Sequence, residues 1–187
     1  MALRYPRVPG RLINAGISGD TAPRGLLRLE QDVLSCHPDL TVICYGLNDV
    51  LTPSESAAQY CDALEGIIRR LQENGSEVIF MTPNMMNTYV SSRISKEVIR
   101  QVASDSANAQ NACDFEQYLN EAKALCQTLG VAVCDCYEKW KKLNQHGVDT
   151  TQLLANLINH PVREMNWLFA ISLLETMFTS TSSDIDS

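Results

Sequence analysis

The sequence predicts a three-layer α/β domain built on a parallel sheet, and three observations support this class. Strand-like and helix-like segments alternate along the chain, as in parallel sheets whose strands are connected by crossover helices. Residues 42–45, Val-Ile-Cys-Tyr, show no polar alternation, which indicates a strand buried on both faces. Two turns, the first turn (residues 17–21) and the second turn (residues 46–49), each follow a predicted strand. Strand ends of this kind form the ligand-binding edge of open α/β sheets.

The first half of the chain supplies three predicted strands and two predicted helices. Pro38 ends the first helix, because the residue before a proline is pushed out of the α region. Residues 52–55, Thr-Pro-Ser-Glu, form a predicted capping box with proline at the first helical position. The predicted strands are residues 12–15, 40–45 and 77–81, and the predicted helices are residues 22–36 and 52–73.

The second half has one strongly amphipathic helix and several weaker signals. Apolar residues at helical spacing define a helix over residues 115–129, which Gly130 ends. We expect the small and polar residues 104–111 to form a loop. The remaining elements are helices over residues 91–103, 137–143 and 150–158, a strand over residues 131–134, and a longer helix opened by Pro161. All belong to a single domain over residues 1–187, with an irregular arm at residues 1–11 and a frayed tail at residues 179–187.

Charge and hydropathy limit the classes of partner. The 187 residues carry a formal net charge of −7, which argues against nucleic acid, because phosphate binding needs a basic face. No apolar run approaches the roughly 18 residues of a membrane span. The amino terminus lacks the apolar segment of a secretory signal, so we expect a cytoplasmic protein.

The chain has 7 cysteines, and most occupy apolar positions of predicted helices or strands. This pattern favours buried free thiols in a reducing compartment. Cys134 and Cys136 lack the spacing of redox or zinc motifs and have no second pair. The sequence therefore predicts neither a metal ion nor a cofactor.

The first turn has the features of a helix N-terminus that stabilises negative charge. Asp20 or Thr21 can cap the helix, and Pro23 suits its first turn. Backbone N–H groups near Gly19 then point outward at the positive end of the helix dipole. Asn48, in the second turn, adds a side-chain amide donor. Two neutral donors that converge on one point can form an oxyanion hole for an acyl carbonyl oxygen.

These residues also have purely structural interpretations. Gly19 can simply permit its turn, and Asn48 can fill a left-handed backbone position. We expect Asp49 to fix the second turn by hydrogen bonds rather than to take part in chemistry.

Three blocks of this chain resemble the SGNH, or GDSL, hydrolases. NAGISGDT resembles the second conserved block, YGLNDV the third, and Asn159-His160-Pro161 the block of the catalytic histidine, with weaker similarity over residues 77–84. The resemblance implies a flavodoxin-like sheet and a serine hydrolase without a cofactor: an esterase, lipase, thioesterase or carbohydrate deacetylase acting on a small-molecule ester. It also implies that Gly19 N–H and the Asn48 amide hold the oxyanion while His160 transfers the proton.

The family's first block, a Gly-Asp-Ser that carries the nucleophile after the first strand, is not found in this chain. Only eleven residues precede Leu12, and Pro6 and Pro9 argue against a central strand among them. We therefore expect an SGNH-type domain that lacks its first strand and is impaired in chemistry. The edges exposed by that loss predict an unstable chain, unless the arm, a second copy or another partner covers the gap.

His160 is the clearest site candidate outside the two turns, as a general base toward a serine. Its structural alternative is a partly buried histidine that caps a helix. The family usually places an aspartate three residues before this histidine, and here that position is Leu157. Asp149, the nearest upstream acid, is the candidate that orients the ring, although it is an equally good N-cap. Asn159 and Glu164 are weaker options.

Three functions stay open at this point. The first is a carboxylic ester hydrolase, and the second is a non-catalytic pseudo-esterase that binds acylated or carbohydrate ligands. The third is a nucleotide binder, although the chain has no Gly-rich loop or P-loop lysine. Two residues are poor replacements for the missing nucleophile: Ser18 would need a sharp backbone bend to face the donors, and Cys44 has no evident charge partner to activate it.

Overall fold

The structure is a computed structural model that describes residues 10–52, 54 and 56–178. Most of the predicted arm and the predicted tail lie outside these residues. Helices cover both faces of a small parallel sheet, which confirms the three-layer α/β/α class. The order of its strands is β1 (Leu40–Ile43), β2 (Glu77–Met81) and β3 (Ala132–Cys134).

One face of the sheet packs against helices α1 (Ala22–Asp32), α2 (Ala57–Glu73) and α4 (Asp114–Thr128). Phe80 of β2 and Leu64 of α2 are both fully buried in this layer. Complete burial of such a side chain contributes about 1.5–3 kcal/mol relative to an exposed one, so this layer forms the main core.

The other face of the sheet is covered by α6 (Asn166–Phe178), which contacts the side chains of Ile79 and Cys134. Helix α3 (Glu97–Asn111) packs against α4, and α5 (Cys136–Gln145) packs against α6. Among the described residues, none of the helices is long and apolar enough to cross a membrane.

The strand predicted at residues 12–15 does not form. Residues 10–17 contain neither helix nor strand, and Leu12 is 97% exposed. A strand needs a neighbour to satisfy its backbone N–H and C=O groups, and no strand in the described ranges pairs with this segment. In consequence β1 is an edge strand of the described sheet.

The expectation that β1 is buried on both faces is also wrong. Ile43 packs into the main core, whereas Leu40 and Val42 on the opposite face are each 38% exposed. Val42 is in register with Ile79, which α6 covers, so the α6 layer stops short of β1. Cys44, on the same face as Val42, is exposed rather than buried.

Helix α2 begins after a capping box that lies later than predicted. The Ser56 hydroxyl accepts a hydrogen bond from Gln59 N–H at 3.3 Å, and Gln59 Oε1 accepts one from Ser56 N–H at 2.9 Å. This reciprocal pair satisfies two N–H groups that the helix leaves unpaired. Residues 53 and 55 of the predicted box lie outside the described residues.

Helix α3 replaces the loop predicted at residues 104–111. Its small residues Ala103 and Ser106 are fully buried, so the helix approaches its neighbours closely. Gln110 Oε1 accepts a hydrogen bond from Met86 N–H at 2.9 Å. The polar composition that predicted a loop therefore reflects close packing and a buried side-chain contact.

The segment before α6 contains less helix than predicted. Residues 150–158 include only a 3-10 turn, Thr150–Leu153. Pro161 does not open the long helix, because a second 3-10 turn, Arg163–Met165, intervenes and α6 begins at Asn166.

Buried thiols and a buried tyrosine predict a loss of stability at alkaline pH. Burial raises the pKa of Cys126 and of Tyr137 to about 12, and burial with the neighbouring Cys134 raises that of Cys136 to about 12. The ordinary values are 9.0 for a thiol and 10.0 for tyrosine. The unfolded chain loses these protons first, so the free energy of unfolding falls as pH rises from about 9 to about 12. We expect urea denaturation to give a lower value at about pH 10.5 than at about pH 8.

Two variants test whether the buried groups cause this loss of stability at alkaline pH. Cys126→Ala removes one buried group and should weaken the pH dependence, whereas Cys36→Ala removes an exposed thiol and should not change it. Equal free energies of unfolding at the two pH values in the unaltered chain would contradict the prediction.

Candidate active site

A buried carboxylate, Asp49, joins the first turn to the second. Its Oδ1 accepts a hydrogen bond from Ala22 N–H at 2.7 Å, and its Oδ2 accepts one from Gly46 N–H at 2.8 Å. Hydrogen bonds to a charged group contribute about 1.5–3 kcal/mol each. Asp49 therefore has the structural role predicted for it. Thr21 occupies the N-cap position of α1, as one of the two predicted alternatives, but its side chain accepts no capping hydrogen bond.

Gly19 and Asn48 lie in adjacent parts of the joined turns. Asn48 Nδ2 donates to the backbone oxygen of Asp20, the residue after Gly19, at 2.9 Å. An amide has two N–H donors, so one of them is still available to a ligand. Gly19 has a φ of 75°, in the left-handed region that favours glycine, and its N–H has no acceptor among the described residues. Asn48 therefore contacts the backbone one residue after Gly19, and the oxyanion role of the two donors stays a prediction.

Arg28 fastens the first turn to α1, a role that the sequence did not predict. Its Nε donates to Asp20 Oδ2 at 2.8 Å, and its NH1 nitrogen donates to the Ala15 carbonyl at 2.6 Å. The same nitrogen donates to Asp32 at 3.0 Å. The pair with Asp32 has i,i+4 spacing and could be read from the sequence. The contacts with Asp20 and Ala15 depend on the path of the backbone before α1, which the sequence does not indicate.

His160 lies in a tightly closed loop, the histidine loop, residues 154–161. Leu154 and Pro161 form an antiparallel bridge across it, and Ala155 N–H donates to the His160 carbonyl at 2.6 Å. Inside the loop, the Asn156 side-chain oxygen accepts from His160 N–H at 2.9 Å. These bonds fix the backbone of His160 while its side chain stays exposed.

The turn after β2 holds the histidine loop in place. Asn84 Nδ2 donates to the Asn159 carbonyl at 2.9 Å, and Asn87 N–H donates to the Ile158 carbonyl at 2.7 Å. Asn84 belongs to the segment with weak family similarity, but nothing in its sequence indicates this contact. Because β2 is the central strand, its carboxyl end carries the loop at the edge of the sheet.

The second turn and the histidine loop also share one apolar cluster, the lower core, formed around the fully buried Trp140. Leu47 and Leu51, which flank Asn48, pack against it from one side. Leu154, at the start of the histidine loop, is part of the same cluster. Asn48 and His160 are thereby attached to a common packed support.

Asp149 is not in contact with the His160 ring. Its Oδ2 accepts from the Tyr89 hydroxyl at 2.8 Å, and its Oδ1 accepts from Gln152 N–H as the N-cap of a 3-10 turn. In the described part of the chain the His160 ring takes part in no hydrogen bond. Leu157, at the position of the family's usual aspartate, has a φ of 59°, which is unfavourable for a leucine.

The other sequence candidates have structural surroundings of their own. The Asn159 side chain accepts a hydrogen bond from Asn156 Nδ2 at 2.9 Å, within the histidine loop. Glu164 is exposed in the 3-10 turn that precedes α6. Within the described ranges, no group of three or more His, Cys, Asp or Glu side chains is arranged to hold a metal ion.

Comparison with solved structures shows the same fold in esterases. An acetylxylan esterase from Geobacillus stearothermophilus matches with a TM-score of 0.70 and 20% identity, over 93% of this chain and 75% of the other. An α/β hydrolase from the metagenome of Lake Arreo, Spain, matches with a TM-score of 0.71 and 21% identity, over 94% and 76%. An acetyl xylan esterase matches with a TM-score of 0.69 and 24% identity, over 88% and 80%.

Two further structures of the Geobacillus esterase are catalytic mutants, in which a serine or an aspartate is replaced by alanine. No curated protein matches the chain. The GDSL-like lipase/acylhydrolase family matches residues 2–167, which is most of the chain and includes both turns and the histidine loop. The chain therefore belongs to the GDSL-like lipase/acylhydrolase family.

Proposed function

We propose that this protein is a carboxylic ester hydrolase of the acyl-transfer type, impaired in its present form. Gly19 N–H and the Asn48 amide stabilise the oxyanion that forms when an ester carbonyl is attacked. His160 is the general base that takes a proton from the nucleophile and returns it to the leaving alcohol.

The observation that carries this proposal is the joining of the two turns. Asp49, in the second turn, accepts from Gly46 N–H and from Ala22 N–H, directly after the first turn, and Asn48 reaches across to the backbone beside Gly19. Two donors held by a buried carboxylate need little reorganisation as charge develops, which is the requirement for an oxyanion hole. The lower core contacts both the second turn and the histidine loop. This supports a position of His160 at the same edge of the sheet as Asn48.

The impairment that we propose concerns a chain of these 187 residues, which contain no Gly-Asp-Ser block. A chain without a nucleophile keeps the oxyanion donors and the binding of substrate. These alone accelerate hydrolysis about 10³–10⁴-fold relative to the uncatalysed reaction in water. Asp149 is the weakest member of the proposed set. Its carboxylate is engaged by Tyr89 and Gln152, so orientation of His160 would require an exchange of partners.

The substrate class that we favour is a short acyl ester carried on a carbohydrate. Two of the matching structures are described as acetylxylan esterases, and this chain shares their fold. We further propose a single domain located in the cytoplasm, since its cysteines are free thiols.

The test is a fluorophosphonate label combined with hydrolysis of p-nitrophenyl acetate. We expect no stoichiometric serine adduct and a turnover far below that of the Geobacillus acetylxylan esterase, measured in parallel as a positive control. Asn48→Ala should lower any residual turnover by about 10²-fold, because one oxyanion donor is removed. Asn120→Ala, an exposed asparagine on α4, is the matched control and should have no effect.

Two outcomes would overturn the proposal in different ways. A stoichiometric adduct with turnover like that of the control esterase would disprove impairment, and the labelled serine would be the nucleophile. Residual turnover that does not respond to Asn48→Ala would disprove the oxyanion assignment.

The second candidate function is a binding module that holds acylated or carbohydrate ligands without turnover. It is favoured by the His160 ring, which takes part in no hydrogen bond within the described residues. Titration with an acetylated xylo-oligosaccharide, followed by calorimetry, separates the two functions. Saturable binding without release of acetate would support the module, whereas acetate release would support the hydrolase.

A further inference from the structure

Helix α6 is apolar on two opposite sides. Its inner side, including Leu168, Phe169 and Leu173, packs on the sheet and the lower core. Its outer side carries large apolar side chains that are exposed to solvent, which we name the outer seam. The members of the outer seam are Trp167, 71% exposed, Ile171, 49%, Leu174, 40%, and Phe178, 54%. A helix that is apolar all round is normally buried, so this outer side is suited to a partner.

The spacing of the outer seam fits a second helix. Its members stand at positions i, i+4, i+7 and i+11 counted from Trp167. This is the alternation of a and d positions with which two helices pack side by side. The spacing reads the same in both directions along the helix, so the seam is complementary to an antiparallel copy of itself. Self-complementarity of this kind is the requirement for a twofold interface.

The area of the outer seam is close to the lower limit for a specific dimer. Its four side chains expose on the order of 450 Å² in total, given about 150–250 Å² for a whole aromatic side chain. Two copies would thus bury about 900 Å² of apolar surface, close to the approximately 1,000 Å² of a specific interface before any flanking contact is counted. We expect a weak dimer, with an affinity in the micromolar range, because the area lies below that of standard stable interfaces.

A lipid surface fits the outer seam less well. Helices that lie in a membrane interface carry lysine and arginine on their polar face, where they meet anionic headgroups. Helix α6 has no basic residue, and the chain as a whole has a net charge of −7. The charge therefore disfavours an anionic membrane as the partner.

We propose that α6 pairs antiparallel with α6 of a second copy of this chain, forming a homodimer through the outer seam. Ile171 lies opposite Leu174 of the partner subunit, near the twofold axis. This inference does not depend on the proposed esterase function.

Sedimentation equilibrium over about 1–200 μM protein tests the proposal, because a micromolar dimer dissociates within that range. We expect a monomer–dimer equilibrium together with a blue shift of tryptophan emission as concentration rises. The chain has two tryptophans, and Trp140 is fully buried, so the shift reports Trp167. Ile171→Glu should raise the dissociation constant at least about 100-fold, because it places like charges on both sides of the seam.

Val98→Glu is the matched control, since Val98 is an apolar residue of α3 that is 76% exposed. It should leave both the dimer and the emission shift unchanged, and circular dichroism should show that both variants are folded. A monomer at every concentration would overturn the proposal, and so would a dimer that resists Ile171→Glu. Binding of the monomer to phosphatidylcholine vesicles through Trp167, without dimerisation, would also overturn it.

Discussion

Asp49→Ala is expected to lower the free energy of unfolding by about 3 kcal/mol, because it leaves two backbone N–H groups without their acceptor. Asp49 is fully buried and accepts from Ala22 N–H and Gly46 N–H, so water cannot replace it without opening the joined turns. Urea denaturation followed by circular dichroism measures the loss.

Asp49→Asn is the companion variant. It keeps one side-chain oxygen as an acceptor but turns an NH₂ group toward the second backbone N–H. We therefore expect it to lower the free energy of unfolding less than Asp49→Ala does. The variant also tests the site, because a loosened second turn should change the chemical environment of the Asn48 amide in an NMR spectrum. A loss below about 1 kcal/mol for Asp49→Ala would show that the two turns are held by other contacts.

Trp140→Ala is expected to cost about 3–5 kcal/mol, since it removes the largest side chain of the lower core and leaves a cavity. Trp140 is fully buried in the cluster that supports both the second turn and the histidine loop. The cavity should therefore weaken both supports at once. Urea denaturation gives the free energy, and NMR of the His160 side chain reports on the loop.

Trp140→Phe separates volume from hydrogen bonding. The indole N–H of Trp140 has no hydrogen-bond partner among the described residues, so phenylalanine loses no such bond. We expect Trp140→Phe to lower the free energy of unfolding by less than half as much as Trp140→Ala, because most of the buried ring is kept. If Trp140→Phe and Trp140→Ala lowered the free energy of unfolding equally, the indole nitrogen would have an important hydrogen-bond partner.

Asp49 and Trp140 are buried residues that hold the candidate site in shape. The candidate groups themselves, Gly19, Asn48 and His160, do not provide this support. Asp49 joins the start of α1 to the second turn, and the lower core connects the second turn to the histidine loop. These supports also stabilise the fold, so they do not depend on the chemistry of the candidate groups. The two turns are joined although the His160 ring takes part in no hydrogen bond within the described residues.

The sequence by itself determined the elements whose signals are local. The apolar stripe of α2, the strand Glu77–Met81 and the helix that ends near Gly130 all form where their periodicity predicts. The fold class followed from their alternation, because strands connected by helices form parallel sheets. The two turns lie next to each other as predicted, although the first of the two adjacent strands from which this was inferred does not form.

Tertiary structure decided the features that depend on a neighbour. Residues 12–15 have the composition of a strand but do not form one, because a strand exists only where another strand accepts its hydrogen bonds. Residues 104–111 have the composition of a loop but form part of α3, because small side chains allow close packing. Asp149 is the acid nearest upstream of His160 in sequence, whereas its carboxylate bonds to Tyr89, 60 positions away in sequence. Local energetics thus determined the helices, the central strand and the turns, and contacts between distant residues determined the sheet edge and the partners of each candidate side chain.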